Sequence, residues 1–156
     1  MIDNKQLREC VIRPSLPPGL YSMAAEELLV ATIAVESKGG TYLKQKGGPA
    51  LGIYQMEPST FADTWSYING SSSCKFYNVI MAICNFKEEP VATDMMNNLE
   101  FATIIARIKY YRDPNPLPEH DDLDGLWLYY KRCWNTYLGK TDKNEFMESY
   151  KNYCKG

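Results

Sequence analysis

Apolar residues recur at helical spacing over most of the chain. Ala24, Leu28, Ala31 and Val35 repeat every three to four positions, and Leu29, Val30 and Ile33 widen that face. The stretch Met23 to Val35 is apolar most of the way round and predicts a buried central helix, with Ser22 as its N-cap. Phe76, Ile80, Ile83 and Phe86 predict a short amphipathic helix, closed by Glu88-Glu89-Pro90. Phe101, Ile104, Ile105 and Ile108 mark the inward face of a helix from Asp94 to Tyr111, with Thr93 as its cap. Glu100, Arg107, Lys109 and Arg112 are expected to face solvent. Leu123, Trp127, Tyr130, Trp134 and Tyr137 lie on one stripe of a later helix, capped by Asp122 or Asp124 and ended by Gly139. That stripe is core or cleft wall. Capping boxes at Asp3 with Gln6 and at Asp142 with Glu145 open the first and last helices. The first runs to about Ile12, where Pro14, Pro17, Pro18 and Gly19 make a stiff connector. Phe146, Tyr150 and Tyr153 dock the last.

The helical spacing lapses between residues 39 and 57. Gly39 and Gly40 end the central helix. Thr41-Tyr42-Leu43 and the run Ala50 to Tyr54 read as two short strands around a turn at Lys44–Gly48. Pro58 suits the first turn of a helix to about Trp65, with Phe61 and Trp65 inward. Asn69-Gly70 and Ser71, Ser72 and Ser73 read as a loop. A second loop holds Pro114, Pro116 and Pro118, three prolines that defeat a helix. His120 follows it and is expected to be exposed.

Composition narrows this picture. A chain of 156 residues, 45% of them apolar, suits one domain (residues 1–156) with one sizeable core. A net charge of -2 argues against nucleic acid as a partner. No run reaches the ~18 apolar residues of a membrane span. The N-terminal stretch MIDNKQLREC lacks the apolar core of a secretory signal. Of the five cysteines, Cys10, Cys74, Cys84, Cys133 and Cys154, at least one lacks an internal partner. Free, mostly buried thiols are expected, and Cys74 with Cys84 is the pair to test first for a disulfide. With one histidine and no Cys-x-x-Cys, neither a metal nor another cofactor is expected.

The chemistry concentrates in residues 31–65. The central helix delivers a carboxylate, Glu36, at its C-terminal end, where burial and the negative end of the helix dipole both favour the protonated form. That is the state a general acid needs. A glycine-rich loop follows, then Ala50-Leu51-Gly52-Ile53-Tyr54 leads into Gln55, Met56 and a second carboxylate, Glu57. Two carboxylates on separate elements are the requirement for cleaving a glycosidic bond. Each residue also has a plainer reading. Glu36 can be a solvated helix end, Gln55 a backbone-bonded amide and Met56 core packing. Glu57 can cap the helix at Pro58. Ser37 can fix the local backbone, and it is not expected to be a nucleophile because nothing in the sequence suggests a triad.

Glu36-Ser37, then Gly52-Ile53-Tyr54-Gln55-Met56, then Pro58 and Thr60, resemble the ordered signature of soluble lytic transglycosylases and goose-type lysozymes. In that family a catalytic Glu precedes Ser, followed by Gly-Leu-Met-Gln and Pro-x-Thr. The segments Gly48-Pro49-Ala50-Leu51-Gly52 and Gln55-Met56-Glu57-Pro58 resemble phage-encoded members. The resemblance implies a mostly α, α+β fold: a lysozyme-like domain with a small β-hairpin or loop region beside the cleft. It implies cleavage of the β-1,4 bond between N-acetylmuramic acid and N-acetylglucosamine in bacterial peptidoglycan, with Glu36 as general acid. Glu57 follows Gln55 by two, the position of the water-activating Asp in goose-type lysozymes, which points to hydrolysis. The alternatives are a lytic transglycosylase using Glu36 alone to give 1,6-anhydromuramic products, and a non-catalytic phage structural or wall-binding protein. Ser37, Tyr54, Gln55, Tyr130, Trp134 and Asn135 are the expected substrate-binding residues. Trp134-Asn135-Thr136 with Gly139 stands where the family carries Tyr-Asn-Ala-Gly. Phage virion components are possible further partners. A wall-degrading enzyme without a signal is expected in the host cytoplasm until phage lysis, or in the virion, and acts in the periplasm or cell wall.

Overall fold

The computed structural model describes residues 1–70 and 74–155. The side chain of Cys74, and with it the Cys74–Cys84 pairing, lies outside the described residues, as do Ser71, Ser72 and Ser73 of the expected loop. Cys10, Cys84, Cys133 and Cys154 are free thiols; Cys10 is exposed and the others are half-buried.

Helix α3 (Met23–Glu36) is the axis of the molecule. Its Ser22 cap accepts the Ala25 N–H at 3.0 Å. Leu28, Leu29, Val30, Ala31 and Ile33 are all essentially inaccessible, so the helix is buried on every side and needs no amphipathic stripe. Around it pack α7 (Leu99–Tyr111), α8 (Leu123–Tyr130) and α9 (Lys143–Lys155). Helices α4 (Pro58–Gly70) and α5 (Cys74–Ile83) form a pair against α7. Glu89 ties that pair together by accepting from Trp65 Nε1, Asn69 Nδ2 and the Tyr77 hydroxyl.

Local capping signals set most helix starts. Asp3 accepts from Gln6 N, Asp122 from Gly125 N and Asp142 from Glu145 N, each at 2.9 Å. Two helices contain wide π-type turns: one carries the first helix past Pro14, and the other ends the later helix at Asn135, short of the expected stop at Gly139. The first passes from α1 (Asn4–Gln6) through Leu7–Ile12 into α2 (Arg13–Ser15), so Pro14 lies inside it. Arg13 N–H bonds Arg8 five residues back, so the ladder has already shifted where proline lacks its donor. The second prolongs α8 through Lys131–Asn135. Conversely, the helix expected from Asp94 is broken: α6 (Asp94–Asn97) stops, and Asn98 turns extended to cap α7 by accepting Phe101 N–H at 2.9 Å. Thr93 makes no cap bond.

The expected β-hairpin does not form, and the α+β lysozyme-like description is corrected to an all-helical one. Among the described residues there is no β-strand, only isolated bridges between Lys44 and Leu51 and between Leu51 and Met56. The reason lies in the 50–56 segment. Leu51 and Met56 exchange both backbone hydrogen bonds, folding the chain back on itself after four intervening residues. Gly52 (φ 76°) and Gln55 (φ 49°) supply the left-handed conformations this needs. A Cβ on Gly52 would meet the Met95 carbonyl oxygen at 2.5 Å. Leu51, Gly52, Ile53 and Tyr54 are buried in succession, whereas a half-covered strand alternates.

Two expected solvent-facing charges also turn inward. Arg107 is 7% exposed and donates from Nε to the Leu20 carbonyl at 2.7 Å. Lys109 is half-buried.

Candidate functional site

The C-terminal end of α3, the 44–57 loop, the start of α4 and the stretch 134–140 enclose a cleft of about 690 Å³. Glu36 forms part of its wall. The backbone stops being helical immediately after it. Ser37 N–H and Gly39 N–H both bond the Ile33 carbonyl, and Ser37 Oγ donates to that oxygen while accepting Gly40 N–H. Ser37 is therefore a fully buried part of the helix stop and does not line the cleft.

Tyr130 rises from α8 beneath Glu36. It is inaccessible to solvent, and its hydroxyl donates to Glu36 Oε1 at 2.6 Å. Burial pushes the Glu36 carboxyl up to about 7. The Tyr130 hydrogen bond opposes this, and Glu145 reinforces it. Desolvation wins because no cation among the described residues pairs with the carboxylate. The group is thus part protonated near neutrality, with Oε1 engaged and Oε2 left to carry the proton.

Across the cleft, Gln55 Nε2 donates to the Gly52 carbonyl at 2.8 Å. The amide is locally anchored, while its oxygen stays available to the cleft it lines. Glu57 lines the same cleft, is exposed, and its carboxylate has no hydrogen-bond or ion-pair partner among the described residues. The helix-capping arrangement for Glu57 is therefore not the one adopted. Met56 is 2% exposed and packs in the core while touching the cleft wall.

Tyr54 sits elsewhere. It is 1% exposed, its hydroxyl donates to Thr103 Oγ1 at 3.1 Å, and its ring lies 6.3 Å from that of Trp134. It supports the indole from behind. Trp134 also lies 5.2 Å from the Tyr110 ring, whose hydroxyl is fixed on Thr32 of α3. Trp134 and Asn135 both line the cleft. Asn135 Oδ1 accepts from Lys131 Nζ at 2.6 Å, and that ammonium also reaches the carbonyls of Gly139 and Thr141. This one lysine holds the 136–141 loop at the cleft edge.

The fold therefore brings Glu36, Gln55, Glu57, Trp134 and Asn135 to one cleft, with Tyr130 beneath it and Tyr54 and Ser37 in the core. Lys109, Lys140, Gln45 and Thr60, not among the expected site residues, line the same space. A usable signal existed for Lys109, which stands four residues after Ile105 and so on the inward face of α7. No three of the described His, Cys, Asp and Glu side chains converge as metal ligands. No described helix is long and apolar enough to cross a membrane. No protein-family model, curated protein or solved structure matches this chain.

Proposed function

We propose that this protein is a peptidoglycan glycosidase, cleaving the β-1,4 bond between N-acetylmuramic acid and N-acetylglucosamine with Glu36 as general acid. The observation that carries this reading is the Glu36 carboxyl itself: in a cleft wall, paired with no cation among the described residues, hydrogen-bonded by Tyr130 at 2.6 Å, and pushed up to about 7. Such a group can deliver a proton to the leaving glycosidic oxygen near neutral pH. The signature around Gln55 narrows the substrate from glycans in general to peptidoglycan.

Glu57 supports hydrolysis over transglycosylation. Its carboxylate shares the cleft and is unpaired, so it is free to take a proton from water as the water oxygen attacks the anomeric carbon. Glu36 meanwhile protonates the departing oxygen, and the products are two sugars with one water added. The second reading has its own support. Glu57 is exposed, and Glu36 alone has the buried setting of a tuned acid. In that case Glu36 protonates the leaving oxygen and then accepts the proton of the muramic 6-hydroxyl as the anhydro ring closes.

The test is digestion of purified murein in ¹⁸O-water by wild type and by Glu36→Gln. Wild type is expected to place the label at new reducing ends, and Glu36→Gln to lose ~100-fold or more in rate while remaining folded. Unlabelled anhydro ends move the protein to the transglycosylase reading. A folded Glu36→Gln with near-normal turnover removes Glu36 as the acid. A wild type that leaves murein intact ends the enzymatic proposal and leaves a wall-binding or virion structural role.

A further inference from the structure

Lys109 is a half-buried cation of the cleft that the proposed chemistry does not use. It stands near the end of α7, half-buried, and its Nζ lies 5.5 Å from the centroid of the Trp134 ring. Neighbouring basic groups are satisfied. Arg112 pairs with Asp63 at 2.8 Å, Arg132 with Asp113 at 3.2 Å, and Lys131 has three oxygen acceptors. Lys109 has neither an ion pair nor a hydrogen-bond acceptor at Nζ among the described residues. The ammonium stands within cation–π reach of the indole face at the cleft. Burial lowers its pKa, so the site bears a standing penalty for holding the charge there. A partly desolvated ammonium with open hydrogen-bonding capacity, held by an aromatic face in a cleft, is arranged for an anion. Lys140, exposed on the same cleft, adds to the positive field.

We propose that Lys109 forms a carboxylate-binding subsite that recognises the acid carried through the 3-O-lactyl ether of a muramoyl residue. The inference rests on the glycosidase reading for its choice of substrate. N-acetylglucosamine has no carboxylate, so an ammonium at this place tells a muramoyl residue from its neighbour. Lys109 then sets which sugar occupies the Trp134 side of the cleft, and hence which of the two alternating bonds reaches Glu36. The carboxylate has two sources: the lactyl group itself in strands stripped of peptide, or the acidic residues of an attached peptide stem.

The experiment measures equilibrium binding to three purified glycans, with Glu36→Gln as the parent so that no ligand is consumed. The ligands are a chitooligosaccharide without lactyl groups, peptide-free glycan strands, and stem-bearing strands. Adding Lys109→Met to the parent is expected to weaken binding to a carboxylate-bearing ligand about tenfold or more and to leave the chitooligosaccharide unchanged. Lys109→Arg should restore much of the loss. A loss confined to peptide-free strands assigns the lactyl carboxylate, and one confined to stem-bearing strands assigns the stem. Equal losses on all three ligands, or no change on any, overturn the subsite. The comparison with Lys109→Arg identifies a variant that merely misfolds, because Arg keeps the charge and length. Cleavage by wild type with no Lys109 dependence leaves the glycosidase reading standing without the subsite. Lys109-dependent binding by a wild type that cleaves nothing retains the subsite and removes the glycosidase.

Discussion

The two ends of α3 each hold a glutamate in poorly solvated surroundings, with opposite outcomes. Glu26, in the first turn, is 4% exposed. Burial alone would raise its pKa, but hydrogen bonds from Arg13, Arg8 and Tyr21 together outweigh it and hold the group below the usual carboxylate range. Arg8 also bridges to Glu27 at 2.6 Å. Glu36, in the last turn, has one phenolic donor and no paired cation among the described residues, and it is raised to about 7. The helix dipole acts in the same sense at each end, favouring the anion at the N-terminus and opposing it at the C-terminus. Burial sets the stakes at both places, and the partners decide where the proton goes. The same helix that is locked to the chain's first helical segment by charge at one end presents an acid at the other.

The largest effect should come from breaking the paired end. Glu26→Gln removes the counterion shared by Arg8 and Arg13 and should destabilise the fold by about 3 kcal/mol, the lower end for a broken buried pair because Arg8 keeps Glu27 and Arg13 is half exposed. Denaturant melts at neutral pH check this. A loss below about 1 kcal/mol would mean the cluster contributes no more than a surface pair.

Glu36→Gln should do the reverse. Between the ordinary carboxyl value and about 7, the folded protein holds a proton that the unfolded chain releases, so stability falls as pH rises through that window. The glutamine variant never ionises. It should exceed wild type by roughly 2–3 kcal/mol at pH 8, with the difference closing by pH 4. Parallel melts at the two pH values decide it, and a pH-independent difference would place the Glu36 proton elsewhere. The paired end responds in the opposite direction: Glu26 contributes above its depressed pKa and is lost as pH falls through it.

The smallest effect sharpens the role of the single phenol. Tyr130→Phe removes the bond that lowers the Glu36 pKa, so on the proposed glycosidase reading the alkaline limb of the pH–rate profile should move up by about one pH unit. An unmoved limb with reduced turnover would make Tyr130 a positioning residue only.

The helices were legible because their signals are local. Ser22, Asp122 and Asp142 cap within three residues of themselves, and the all-round apolar run of α3 needs no partner to be recognised. Glu36 was legible for the same reason, as a carboxylate at the end of an apolar helix. The loop was not. Ala50 to Tyr54 has the composition of a strand, but Gln55 in a left-handed conformation and the Met95 carbonyl against Gly52 fold it into a closed turn. Neither feature is written at short range. Arg107 and Lys109 were misplaced because charge outweighed their position on the inward face of α7. The partner of Arg107 is the Leu20 carbonyl, 87 residues away. Tyr54 carried the motif's position but not its exposure, since Thr103 of α7 claims its hydroxyl.

The wide turn at Lys131–Asn135 sets the angle between two aromatic side chains. A π-type turn holds one residue more than the α-helical turn it replaces, so each of its residues advances less than the ~100° of an α-helix. Tyr130, which reaches Glu36, and Trp134, whose ring centroid lies 5.5 Å from Lys109 Nζ, are separated by this turn. The bearing of the indole relative to the phenol is thus fixed by how many residues the segment holds as much as by which residues they are.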